Sequence, residues 1–319
     1  MSQRGIGIGG VGVDRGAITR GMQGLRKSIV AQIEAAGGRH DEAAIYGGEP
    51  GDAGIGGGPD SISWEINGDL ASLVVGGAAA IIMEVLHPSV MAGVYTQSSY
   101  RTQPLQRARN TLGYVLRTTF GSSAAARDVI ERVKRIHGRV AGTRPDGRAY
   151  QALDPELIAW VHTCIPWAVM RAYETYHRPL SAAEKDRYLG EQAVIGRLGG
   201  ADWVPTTVAE LDAYVERMRP QLAMNYQTEE FIGFLAGRVG EQAVSRRERF
   251  DRWVAIRASM GLMPEWARRI TGTYQPPLAY RLAFAPSDRL KARLVRWAYP
   301  ELPCKAIALA RVAAGRAAA

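Results

Sequence analysis

From about residue 65 onward, apolar residues recur every three or four positions, which is the period of amphipathic α-helices. Runs that alternate apolar and polar residues between turn signals, as half-buried strands do, are absent from this pattern. The sequence therefore predicts an all-α body. Its clearest apolar faces combine Leu105, Ala108, Leu112, Val115, Leu116 and Thr119, and then Val129, Val133, Ile136 and Val140.

Helix-start signals precede several of these segments. Asp154 stands directly before Pro155, so an acceptor side chain occupies the cap position and proline occupies the first turn. Ser181 and Thr207 are each followed three positions later by a glutamate, which is the spacing of a capping box. These signals predict three long helices in the second half of the chain.

The longest apolar run extends from Leu70 to Leu86, between a capping Asp69 and Pro88. Ser72 and Glu84 interrupt it, and it is shorter than the roughly 20 residues that a membrane-spanning helix needs. We expect a buried core helix here and no transmembrane segment.

Glycine changes the picture at the beginning of the chain, because seventeen of the 36 glycines lie between Gly5 and Gly58. Such density disfavours both helix and strand, so residues 1–58 are predicted to form a flexible arm before an all-helical domain, residues 59–319. One short amphipathic stretch, Leu25 to Ala36, predicts a helix within the arm. The string Gly7 to Gly12 matches a dinucleotide-binding fingerprint, but neither a preceding strand nor a following helix accompanies it.

The chain carries a net charge of +9, which admits a solvated basic face, a nucleic-acid partner or an anionic membrane surface. No zinc-finger or aromatic–basic RNA motif accompanies the charge, so we expect no nucleic-acid partner, while peripheral membrane contact stays open.

Two cysteines, Cys164 and Cys304, cannot crosslink a fold of this size, and no signal segment opens the chain. The expected location is the cytoplasm.

Two of the five histidines, His137 and His162, fall on apolar helix faces. An imidazole in such a place is either a hydrogen-bonded core residue or a metal ligand. Arg107 and Thr111 are one helical turn apart at the edge of another apolar face. An arginine there is either a surface charge with a buried stem or an anchor for a carboxylate or propionate. His40 lies in the glycine-rich arm, where we expect it to be solvent-exposed.

A second metal site is an alternative. Glu84 and His87, and again Glu174 and His177, have the Glu-x-x-His spacing that builds di-iron carboxylate centres in helical bundles. Both histidines, however, stand close to a proline at a predicted helix end, whereas the ligands of such centres project from the middle of helices.

Taken together, the motifs of the body resemble the haem-dependent oxygenase family of the latex-clearing rubber oxygenases and MpaB, and most closely its short, MpaB-like branch. The resemblance covers roughly residues 65 to 315, and it depends on the order and spacing of the motifs. They are His87-Pro88, Arg107 with Asn110-Thr111, Phe120-Gly121, His137 with Val140 and Gly142, Tyr150 with Asp154-Pro155, and Trp160-Val161-His162.

The resemblance implies a globin-like helical core that holds haem b through one proximal histidine, which corresponds to His137. The family's paired arginine and threonine correspond to Arg107 and Thr111. Asn110 replaces a lysine that closes the distal side of the iron in the rubber oxygenases. It is placed among the cofactor contacts, and His162 is placed with Arg107 and Thr111 among the catalytic residues.

The function expected from this resemblance is oxidation or cleavage of a hydrophobic, isoprenoid-like molecule by dioxygen activated at haem b. Three alternatives stay open at the level of sequence: a peroxidase-like haem enzyme of a biosynthetic pathway, a non-haem di-iron oxidase, and a haem- or lipid-binding protein without turnover.

Overall fold

Helices make up nearly all of the regular structure in the computed structural model, which describes residues 15–37, 42–239, 245–273 and 284–317. The all-α prediction is confirmed. The helices are α1 Arg15–Gly37, α2 Glu42–Tyr46, α3 Ile62–Ile66, α4 Leu70–Glu84, α5 Pro88–Gln97, α6 Pro104–Phe120, α7 Ser123–His137, α8 Pro155–Tyr176, α9 Ala182–Gly199, α10 Val208–Met218, α11 Tyr226–Leu235, α12 Arg246–Leu262, α13 Glu265–Ile270, α14 Ala285–Ala298 and α15 Pro303–Ala317. A 3-10 turn, Arg219–Gln221, follows α10.

The capping residues named by the sequence begin the helices as expected. Asp154 accepts a hydrogen bond from the Glu156 amide at the start of α8. Ser181 and its partner Glu184 form a complete capping box at the start of α9. Thr207 also caps α10, but the Glu210 carboxylate binds Thr206 instead of the cap residue.

One β-hairpin departs from the purely helical prediction. Strands β1 Ala141–Thr143 and β2 Ala149–Gln151 pair antiparallel, with Gly142 opposite Tyr150. The turn between them contains Gly147 at φ +84°, a backbone conformation that favours glycine. Three-residue strands are too short to produce a recognisable alternation of apolar and polar residues, which explains why the sequence pattern did not reveal them.

The centre of the fold is the antiparallel pair α4 and α8. At one end the Trp160 indole donates to the Glu84 carbonyl over 3.2 Å, and at the other Arg296 joins Asp69 to the carbonyl of Tyr176. The backbones approach closely at Gly76, where an added Cβ would lie 2.7 Å from the Cα of Val169. Helix α12 packs on α4, and α9 packs on α8.

Within the segment for which a flexible arm was predicted, the described residues 46–58 pack against the helical body. Arg311 of α15 donates hydrogen bonds to the carbonyls of Tyr46 and Asp52. Gly54 and Gly56 lie so close to α6 and the residue after it that an added Cβ would be 2.3 Å and 2.4 Å from carbonyl oxygens of Gly121 and Thr119. Glycine here permits close packing of two backbones, and composition alone does not distinguish that role from flexibility.

Helix α1 is longer than the predicted stretch from Leu25 to Ala36 and begins at Arg15. The fingerprint-like string Gly7 to Gly12 and His40 lie outside the described residues, so their predictions stay untested.

Within the described ranges, no single helix has the length and hydropathy of a membrane span. The bent pair of α4 and α5, with 107° between the two helices, meets the length and composition criteria together.

Candidate functional site

A recess lies where one end of α4 and the middle of α8 come near α6 and α7. Helix α4 packs along α8 and α6 packs along α7, whereas α4 and α6 make no extensive contact in the described part of the chain. Gly77, on the face of α4 that also carries Glu84, has no atom within 4 Å of the position that a Cβ would occupy. The face of α4 is therefore open at this point.

Five polar or ionisable side chains line this recess: Glu84, Arg107, Tyr114, His137 and His162. Each keeps some accessible surface, yet burial shifts the pKa of each. Partial exposure combined with burial that shifts the pKa is what we expect of side chains that line a recess. We refer to these five residues as the recess residues.

Arg107, on α6, connects the recess residues electrostatically. Its guanidinium donates to the Ser98 hydroxyl over 2.6 Å at the end of α5. It is close enough to Glu84 to favour the charged carboxylate and close enough to His137 to disfavour the imidazolium. Burial lowers the pKa of Arg107, and Glu84 opposes that effect.

Glu84 is the acidic recess residue. Burial raises the pKa of its carboxyl group to about 7, and the Arg107 charge limits the rise. Its side chain makes no hydrogen bond to any described residue. The pKa of the neighbouring Cys164 thiol is raised, because this thiol is buried and because Glu84 lies near it. From the sequence, the only chemical role considered for Glu84 was that of a metal ligand in a Glu-x-x-His motif. The available signal was that it is the sole charged residue of an otherwise apolar helix.

His137 is the last residue of α7 and carries a neutral imidazole. Burial lowers its pKa, and the Arg107 charge lowers it further. Within the described residues its side chain has no hydrogen-bond partner, so neither ring nitrogen is engaged. A neutral, unengaged imidazole is the form that binds a metal ion.

His162, near the middle of α8, lies against α9. A Cβ added to Gly199 would be 2.8 Å from its Nε2 atom, and one added to Gly196 would be 3.3 Å from its Cβ atom. Its ring centroid is 6.1 Å from that of Tyr114. Burial lowers the pKa of His162 to about 4, and His137 adds to the effect, so this imidazole is also neutral. The glycines of α9 thus make room for an imidazole inside the helical body.

The remaining two predicted site residues are less closely associated with the recess. Thr111 is exposed, and its hydroxyl donates to the Arg107 carbonyl one turn earlier on α6. The Asn110 side chain is exposed and accepts a hydrogen bond from Gln106 over 2.9 Å. The structure therefore brings together Arg107, His137 and His162, while the cofactor contacts assigned to Thr111 and Asn110 stay predictions.

The two Glu-x-x-His motifs do not converge. Because α4 and α8 are antiparallel, Glu84 lies near the beginning of α8 and Glu174 near its end. His87 caps α5 by accepting from the Ser89 amide, and Glu174 forms an ion pair with Lys185. Among the described residues, no three His, Cys, Asp or Glu side chains form a group suited to a metal ion. This arrangement provides no di-iron centre of the kind considered from the sequence.

The fold and the recess define a helical protein with two neutral histidines and an arginine around an internal space. The chain belongs to the family described as ER-bound oxygenase mpaB/B'/Rubber oxygenase, catalytic domain, whose family model matches residues 64–298. The match includes all five recess residues, which therefore lie in the part of the chain that corresponds to the family's catalytic domain.

Two mycobacterial proteins are similar over a shorter part of the chain. They are Uncharacterized protein Rv2237 of Mycobacterium tuberculosis (strain ATCC 25618 / H37Rv) and Uncharacterized protein Mb2261 of Mycobacterium bovis (strain ATCC BAA-935 / AF2122/97). Each is 26% identical over 162 residues, which is 49% of this chain and 63% of the relative. The chain thus matches less than two thirds of these relatives' length. No solved structure shows significant similarity to it.

Proposed function

We propose that this protein is a haem b-dependent oxygenase that acts on a hydrophobic molecule, with His137 as the residue that would hold the iron. The observation that carries the proposal is the neutral, unengaged His137 imidazole beside Arg107 in a recess of an oxygenase catalytic domain. The donor set fits haem, because haem iron takes one neutral imidazole and its propionates take a cationic partner.

Haem b, when bound, supplies dioxygen activation, while the protein supplies binding, orientation and electrostatics. His137, at the end of α7, would hold the iron. Arg107 is placed to bind a propionate, because its charge is already in the recess and its hydrogen bond to Ser98 fixes its position. His162 and Tyr114 contribute uncharged side chains to the recess. Among the recess residues, Glu84 is the one whose side chain holds or releases a proton near pH 7.

Aliphatic side chains near the recess residues support a substrate class. Ile81, Leu112, Val115 and Ile165 lie within three positions of recess residues along α4, α6 and α8, and they are half-buried against the main core. Half-buried aliphatic groups beside a few polar side chains suit a nonpolar chain that excludes water at the reacting bond. An isoprenoid-like alkene is the substrate that we propose, with dioxygen as the second substrate.

The ligand assignment is tested by the visible spectrum of purified variants. We expect the wild-type protein to show a Soret band and a b-type pyridine haemochrome. His137→Ala is expected to lose stable haem binding, because no other side chain on α7 replaces its nitrogen. His177→Ala is the matched control: it removes an imidazole outside the recess, whose ring centroid is 4.7 Å from that of Tyr173, and we expect it to keep full haem content.

Two outcomes would reject the assignment. A His162→Ala variant that loses haem while His137→Ala keeps it would transfer the ligand role to His162. A wild-type protein that neither purifies with haem nor binds added hemin would reject the cofactor. Dioxygen consumption that depends on an added isoprenoid alkene distinguishes the oxygenase from a haem-binding protein without turnover. Dependence on hydrogen peroxide instead would indicate a peroxidase.

A further inference from the structure

Helix α1 carries an apolar stripe that the rest of the described protein covers only in part. Met22, Leu25, Ile29 and Ile33 fall on one helical face by their spacing. Ile29 and Ile33 are half-buried, whereas Met22 and Leu25 keep 50% and 46% exposure. The N-terminal half of the stripe therefore presents apolar side chains to solvent. Helix α1 also lies outside the residues matched to the oxygenase family.

Helix α14 continues this apolar surface. It packs against α1, and Arg26 donates to the Ala298 carbonyl over 3.3 Å, which brings Leu25 and Trp297 to adjoining parts of the surface. Trp297 and Leu290 stand two helical turns apart and are 38% and 57% exposed. A tryptophan on such a surface is typical of sites that contact the interface of a bilayer.

Basic residues surround these apolar groups. Helix α1 carries the exposed Arg20, Arg26 and Lys27, and one acidic residue, Glu34. Helix α14 carries the exposed Arg289, Lys291 and Arg293, whereas its Arg296 binds Asp69 at the start of α4 and its one acidic residue, Asp288, is buried in an ion pair with Arg257 at 2.8 Å. The acidic residues of these two helices therefore offset little of the positive charge on their outer faces.

We propose that α1 and the outer face of α14 form a docking surface for an anionic lipid bilayer. Exposed apolar groups with a tryptophan and flanking basic residues match the two attractions that hold an interfacial helix, which are apolar burial and charge. A second copy of the chain would bring the same positive charge to this face, so like-charge repulsion disfavours that occupant. The surface lies apart from the recess, and the inference stands whether or not the protein binds haem.

Sedimentation with vesicles tests the docking surface on the full-length protein. We expect pelleting with vesicles of phosphatidylcholine and phosphatidylserine, and little with phosphatidylcholine alone. Lys27→Gln/Arg293→Gln is expected to weaken binding by about fivefold for each charge removed. The matched control Arg132→Gln/Arg148→Gln removes two exposed charges from α7 and the hairpin, and it should bind like wild type. Met22→Ser/Leu25→Ser should also weaken binding, whereas Val194→Ser, at an exposed position of α9, should not.

At saturating vesicle concentrations, tryptophan fluorescence gives a second readout that does not depend on binding affinity. Brominated lipids in the anionic vesicles should quench part of the protein's emission, and Trp297→Phe should remove that part. Equal binding by the two double charge variants would overturn the proposal, as would unchanged quenching in Trp297→Phe. Failure to bind anionic vesicles would also overturn the proposal. In that case, binding to RNA or self-association through α1 would identify a different partner for this surface. None of these measurements depends on oxygenase activity.

Discussion

At the scale of single residues, the sequence located the two histidines on apolar helix faces but not their partners. Glu84 and Arg107 lie on different helices joined through α5, and no periodicity within one helix indicates that their side chains meet. The close contact between His162 and Gly199 likewise joins α8 to α9. Such pairs are decided by how helices pack, so they become visible only in the tertiary structure.

His162 makes the stability of the haem-free protein depend on pH. Its folded-state pKa of about 4 lies below the ordinary histidine value of 6.5, so between these values only the unfolded chain takes up the proton. The free energy of unfolding is therefore expected to fall as pH decreases through this range, by at most about 3 kcal/mol. His162→Gln should lose this part of the pH dependence.

Urea unfolding of the haem-free protein at about pH 7 and about pH 5 measures the effect. Other groups titrate in the same range, so the informative quantity is the difference between wild type and His162→Gln at each pH. An equal loss of stability in both proteins would show that His162 is not held neutral by the fold.

At the scale of elements, α4 shows how adjacent glycines take different roles. Gly76 faces α8, and an added Cβ there would also lie 3.0 Å from the Ala168 carbonyl oxygen. Gly77 faces the recess and open space. The sequence identified α4 as a buried core helix, and that prediction is correct, but the Gly-Gly pair alone does not tell which residue permits close helix packing.

Alanine substitutions separate these roles. Gly76→Ala should destabilise the protein by about 1–3 kcal/mol, because a methyl group would force two backbones apart. Gly77→Ala should stabilise the haem-free protein by up to about 1 kcal/mol, because alanine favours a helix and the methyl group has space. Thermal unfolding of the two variants provides the comparison. Similar destabilisation in both would contradict the packing of α4 on α8 described above.

At the scale of the whole molecule, the segment before residue 59 joins the C-terminal helix to the helical body. Arg311 of α15 is buried, and it donates both to carbonyls of this segment and to the carbonyls of Phe120 and Gly121 at the end of α6. Asp52 also accepts hydrogen bonds from Ser123 at the start of α7. These contacts give the glycine-rich segment a structural role that its composition does not indicate.

Two truncations test this role. Deleting residues 1–41 removes α1 and leaves the acceptors of Arg311 in place, so we expect little change in melting temperature but weaker vesicle binding. Deleting residues 1–58 removes three of those acceptors, the carbonyls of Tyr46, Gly47 and Asp52, and leaves buried donors unsatisfied, which should cost about 3 kcal/mol or more. The matched variant Arg311→Ala in the full-length chain should reproduce most of that loss, whereas equal melting temperatures for both truncations would show that the segment is dispensable.

The sequence by itself determined the helical class, the starts of the main helices, the buried helix α4 and the family, because these depend on local periodicity, caps and the order of motifs. Tertiary structure decided which polar residues share the recess, that the two Glu-x-x-His motifs lie at opposite ends of α8, and that residues 46–58 are packed. Those outcomes depend on the direction in which α4 crosses α8 and on the close approach of backbones at glycine. Both are properties of pairs of distant segments, and no local pattern encodes them.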